Sequence, residues 1–95
     1  MRLRAADPPL IVSPVRGAAY VKRLSRPDDA RVAFTASADA DAHLIYWFVD
    51  DAFVGTAAPG TAFYWQPAAA GRFRLRAVDD QGRSDERPLD IKVEE

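Results

Sequence analysis

The stretch Arg72-Phe73-Arg74-Leu75-Arg76-Ala77-Val78 alternates charged and apolar residues without a break until its last position. Successive side chains of an extended chain point to opposite faces. The pattern therefore puts Phe73, Leu75 and Ala77 on one side and Arg72, Arg74 and Arg76 on the other. Such a strand has one face that must be covered and one that meets water. A second sheet is the usual cover.

Other segments repeat the signal. Val32, Phe34 and Ala36 share a face in Arg31–Ser37. Leu44-Ile45-Tyr46-Trp47-Phe48-Val49 is dense in β-branched and aromatic residues, as strands are. Asp50-Asp51 ends it, and Phe53-Val54-Gly55 reads as its hairpin partner. Leu10–Val12, Ala19–Leu24, Thr61–Trp65 and Leu89–Val93 are further strand candidates. Between them lie turn signals: Arg16-Gly17, the loop Arg26-Pro27-Asp28-Asp29, Asp39–Ala42, Ala58-Pro59-Gly60, and Asp79-Asp80-Gln81-Gly82. No segment shows helical periodicity of useful length. Short strands at this spacing predict an all-β chain, an immunoglobulin-like sandwich of about seven short antiparallel strands. Residues 1–8 are expected to form a flexible lead-in and 9–95 the sandwich domain. Trp47, between Ile45 and Val49 on one face, is the prime core candidate.

Composition narrows the function classes. The chain has 95 residues, room for one domain. A formal net charge of -1 lacks the basic surplus of a nucleic-acid binder. There are no cysteines, which removes disulfides, thiolate metal sites and cysteine nucleophiles together. No apolar run reaches the ~20 residues of a membrane-crossing helix. Met1–Ala6 carries two arginines but lacks the apolar stretch of a signal peptide.

Catalytic chemistry finds little footing. His43 is the single histidine, at the start of a strand after a polar loop. A general base needs a nucleophile and an orienting partner, and none is indicated. Asp39, Asp41, Asp50 and Asp51 do not follow a calcium-loop pattern and fit turn capping. Asp79-Asp80 fits the same role, since an aspartate side chain there can accept backbone N–H bonds across the turn. The serines lie in no Ser-x-x-Lys or Gly-x-Ser-x-Gly context. No cofactor or metal is expected.

Two surface features remain. The Arg72, Arg74, Arg76 ladder is either a solvated face that resists edge aggregation or an electropositive stripe for an acidic partner. Tyr46 and Phe48 point away from Trp47, and Tyr64 away from Phe63 and Trp65. On one sheet face these three would form an apolar binding patch; covered by loops they would be structural.

Several residues also arrive in a characteristic order: Ile11-Val12-Ser13-Pro14-Val15-Arg16-Gly17, Tyr46-Trp47-Phe48-Val49-Asp50, Trp65-Gln66-Pro67, Gly71-Arg72-Phe73-Arg74-Leu75 and Val78-Asp79-Asp80-Gln81-Gly82-Arg83-Ser84. This set, running from about Pro9 to Val93, resembles the C-terminal domain of bifunctional penicillin-binding proteins of the 1C type. The resemblance implies a module that follows glycosyltransferase and transpeptidase-like domains on the periplasmic side of the bacterial inner membrane. The catalytic residues belong to those other domains, so this chain is expected not to be an enzyme itself. The expected function is an accessory module that docks on the parent protein's other domains or on another periplasmic protein, without nucleic acid and without membrane insertion. The alternative is peptidoglycan or glycan binding through exposed aromatics. A third possibility is a spacer without a ligand.

Overall fold

A computed structural model describes residues 7–23 and 31–94. Eight strands occur among them: β1 (Leu10–Ser13), β2 (Ala19–Arg23), β3 (Val32–Ser37), β4 (Ile45–Val49), β5 (Ala52–Ala57), β6 (Phe63–Trp65), β7 (Gly71–Asp79) and β8 (Ser84–Glu94). They build a three-stranded sheet in the order β1-β3-β6 and a five-stranded sheet in the order β2-β8-β7-β4-β5. The chain is all-β and two-layered, as the alternation requires. Residues 1–6 of the expected lead-in, and the expected loop Arg26–Asp29, lie outside the described residues.

Two details of the expectation change. Strands β7 and β8 are long, at 9 and 11 residues. The pairing is also not wholly antiparallel, because β2 runs parallel to β8, Ala19 opposite Asp90 through Arg23 opposite Glu94. Neighbours joined by a hairpin must be antiparallel. β2 and β8 are far apart in sequence, so no local turn dictates their direction. The segment around Val15–Ala18, where Ala18 N–H bonds Val15 C=O at 3.1 Å, separates β1 in one sheet from β2 in the other.

The core is the set of inward positions that alternation marks. Ile45, Trp47 and Val49 from β4, Leu75 and Ala77 from β7, and Leu89 and Ile91 from β8 meet Ile11, Val32, Phe34 and Ala36 from the opposing sheet. Trp47 is 1% exposed and Phe34 fully buried, their ring centroids 5.2 Å apart. Trp65 and Phe73 seal one margin edge-to-face at 5.3 Å. The indole N–H of Trp47 has no acceptor among the described residues.

The inward positions of β8 do not stay apolar. Asp85 and Arg87 occupy the same alternating set as Leu89 and Ile91. There they serve the open edge of β1. The Asp85 carboxylate accepts the Ile11 N–H at 2.9 Å, and Arg87 Nη1 donates to the Pro14 carbonyl at 2.8 Å. Two charged side chains thus satisfy backbone groups that an edge strand would otherwise leave open.

Candidate interaction face

The alternation of β4 sends Tyr46 and Phe48 outward, both partly exposed. Two residues, Asp50 and Asp51, link β4 to β5, and both have positive φ, 50° and 68°. That conformation is the two-residue turn whose twist suits a hairpin. It sets Val49 opposite Ala52 and Phe48 opposite Phe53. Phe53 is therefore outward as well, and it is 58% exposed. Its ring lies 5.7 Å from Phe48 at 60° and 6.4 Å from Tyr46 at 48°. A bulge then follows, with Trp47 opposite Gly55.

Sequence reasoning missed Phe53. The signal was present: a two-residue turn after Val49 makes Phe53 the partner of Phe48 by counting alone. Tyr64 corrects the expectation in the opposite direction. It is 62% exposed, yet it belongs to β6 of the other sheet, opposite Ala33. It is on the far side of the sandwich and cannot share a patch with Tyr46 and Phe48. Sheet membership depends on which strands pair, and alternation does not carry that information.

The arginine ladder borders the aromatic cluster, because β7 pairs with β4 and sets Arg76 opposite Phe48 and Val78 opposite Tyr46. The Arg76 guanidinium carbon lies 5.0 Å from the Phe48 ring centroid, within cation–π range. Arg74 Nη2 donates to Asp51 Oδ1 at 2.6 Å, and its Nε lies 3.8 Å from Glu86 Oε1. The hydrogen bond and charge of Asp51 push the Arg74 guanidinium above its ordinary pKa. Arg72 Nε is 3.4 Å from Asp90 Oδ1. The ladder is therefore largely neutralised by acids of the hairpin turn and of β8, and it is no continuous positive stripe.

Asp50 ties the hairpin turn to this face. Its N–H donates to the Arg74 carbonyl at 2.9 Å, and its carboxylate accepts the Arg74 N–H at 2.8 Å. A depression of about 480 Å³ beside the ladder is lined by Asp50, Arg72, Arg74, Glu86, Arg87 and Pro88, among others. Most of its charges are engaged in the contacts above.

The acidic candidates serve structure. Asp79 is 2% exposed; its Oδ1 accepts the N–H groups of Gln81 and Arg83, each at 2.9 Å. Its Oδ2 accepts Arg83 Nε at 2.8 Å, and Arg83 Nη2 donates to Asp41 at 2.7 Å. The hydrogen bond to Asp41 is the chief reason the Arg83 pKa rises. The His43 side chain is 81% exposed, with Nδ1 3.9 Å from Asp80. Among the described residues, no three His, Asp or Glu side chains converge as a metal site would require.

Comparison with known proteins places this arrangement. The chain is similar in structure to a chain from "Structures of Clostridium thermocellum CbhA fibronectin(III)-like modules", with a TM-score of 0.69 and 13% identity over 92% of this chain and 99% of that one. At that identity the likeness establishes the fold, a fibronectin III-like and hence immunoglobulin-like sandwich. A search of curated proteins finds no match. The family model for the Penicillin-Binding Protein C-terminus Family matches residues 1–93, so the chain belongs to that family.

Proposed function

We propose that this chain is a non-catalytic docking module of a peptidoglycan-synthesising penicillin-binding protein, working on the periplasmic side of the inner membrane. Family membership supports the setting. The observation that carries docking is the outward cluster of Tyr46, Phe48 and Phe53 against Arg76, bordered by paired charges. Aromatic residues and arginine at the centre with a polar rim are the composition of protein interfaces. The partner is another domain of the parent protein or a second periplasmic protein. A tethered partner is present at roughly millimolar effective concentration, so a small patch suffices.

Glycan stacking on this face is less well supported. A sugar needs an open ring face. The Phe48 ring lies under Arg76, and Phe53 is tilted by 48° and 60° from its neighbours rather than forming a flat platform.

The test uses the purified catalytic portion of a 1C-type penicillin-binding protein, immobilised, with this chain in solution. Phe53→Ala with Tyr46→Ala is expected to weaken binding about tenfold or more while the chain stays folded. Unchanged binding by the folded double variant counts against this face. Co-sedimentation of the wild type with purified sacculi that the same variant abolishes would replace docking by glycan binding.

A further inference from the structure

We propose that Arg76 is the receptor for a carboxylate on the docking partner, so that the segment this face receives carries an Asp or Glu flanked by an apolar side chain. The proposal deepens the docking function above and rests on it. Within the ladder, Arg72 has Asp90 and Arg74 has Asp51 and Glu86. Arg76 has no carboxylate among the described residues. It lies opposite Glu86 in the β7–β8 register, but the Glu86 carboxylate lies by Arg74.

Arg76 is also the least exposed of the ladder arginines. Its guanidinium sits over Phe48, and it is only partly exposed. Its Nε is shielded from solvent and has no hydrogen-bond partner. A guanidinium is a planar fork that matches a carboxylate with two parallel bonds, and with Nε shielded the Nη1 and Nη2 end is the one left to a partner. The contact with Phe48 and the partial burial restrict the side chain before any partner arrives, so less freedom is lost on pairing.

The surroundings define the rest of the partner. Phe53, 58% exposed, offers an apolar contact across Phe48 from the cation. The charge pairs of Arg74 and Arg72 continue from it along one side of β7 and leave no second free cation of the ladder. Charge complementarity therefore favours a segment with one acid and an apolar neighbour over a basic or highly charged one.

Random peptides displayed on phage and selected on this chain provide the probe. Selected peptides are expected to be enriched in Asp or Glu beside an apolar residue. Their affinity should fall at least about 30-fold on Arg76→Met, which keeps the stem over Phe48 but removes the charge. Selection on Arg76→Glu should exchange the acid for Lys or Arg. Arg76→Gln repeats the measurement should the Met variant unfold. Peptides that bind wild type and folded Arg76→Met or Arg76→Gln equally, or that show no acidic enrichment, overturn the proposal. The catalytic-portion assay separates the two ideas. Binding that needs Phe53 but ignores Arg76→Met leaves docking standing and removes carboxylate reception. Peptides that obey Arg76, with a catalytic portion that fails to bind, leave the receptor standing and count against docking on the parent's own domains.

Discussion

Asp79→Asn replaces a buried carboxylate with a side chain of nearly the same shape, and its cost follows from three donors. Oδ1 accepts two backbone N–H groups, from Gln81 and Arg83, and Oδ2 accepts Arg83 Nε. An asparagine can keep its oxygen on the backbone pair. Its NH2 group then faces the Arg83 Nε–H, donor against donor. The loss of one charge-assisted hydrogen bond is worth about 1.5–3 kcal/mol, and stranded buried donors add about 1–3. Solvent access on the Arg83 side, whose side chain is 20% exposed, reduces the second figure. A total of about 3 kcal/mol is expected, which for a domain of this size lowers the thermal midpoint by about 12–24 °C. Thermal and urea unfolding followed by circular dichroism measures it, with an unchanged urea m-value as the sign of an unchanged fold. A double-mutant cycle with Arg83→Met, which removes the facing donor, should recover at least about 1 kcal/mol. A midpoint within about 4 °C of wild type would refute the reasoning, because it would mean that water replaces the lost acceptor at no cost.

Trp47→Ala should lose about 3–5 kcal/mol or fail to fold, since a buried indole leaves a large cavity. Trp47→Phe should lose much less, because it also removes an N–H with no acceptor; equal losses in thermal unfolding would contradict this. Gly55→Ala should cost about 1–3 kcal/mol. A Cβ there would overlap the Phe63 ring, with Cζ at 2.6 Å, and Phe63→Leu in the same chain should restore part of the loss in urea titrations. At the β4–β5 turn, Asp50→Ala should cost about 1–2 kcal/mol, because it breaks the bond to the Arg74 N–H while φ stays positive. Asp51→Gly should be within about 0.5 kcal/mol of wild type by the same measurement. Glycine relieves about 1 kcal/mol of left-handed strain, and this offsets the exposed pair with Arg74.

Alternation alone determined a good deal of this protein. Because side chains of a strand take opposite faces in turn, Arg72–Val78 and Ile45–Val49 declared their inward and outward positions before any pairing was known. Trp47, Phe34, Leu75 and Ile91 lie where that rule puts them. Turn chemistry was equally local: the Asp79-Asp80 turn was expected to use an aspartate to accept backbone N–H bonds, and Asp79 does so within four residues. The ordered motif set likewise pointed to the family, which the match over residues 1–93 shows.

Only the tertiary structure decided which faces are shared. Strand order and sheet membership are set by contacts between residues distant in sequence. Tyr64 therefore went to the opposite side of the sandwich, and β2 came to lie parallel to β8. Asp85 and Arg87 face inward by the alternation of β8, but the backbone groups of β1 and Pro14 that they satisfy are brought there by the other sheet, and no pattern within β8 announces them. The arginine ladder was visible as three residues and one sign of charge. Its pairing with Asp51, Glu86 and Asp90, and the exception of Arg76, depend on which acids neighbouring strands bring within reach.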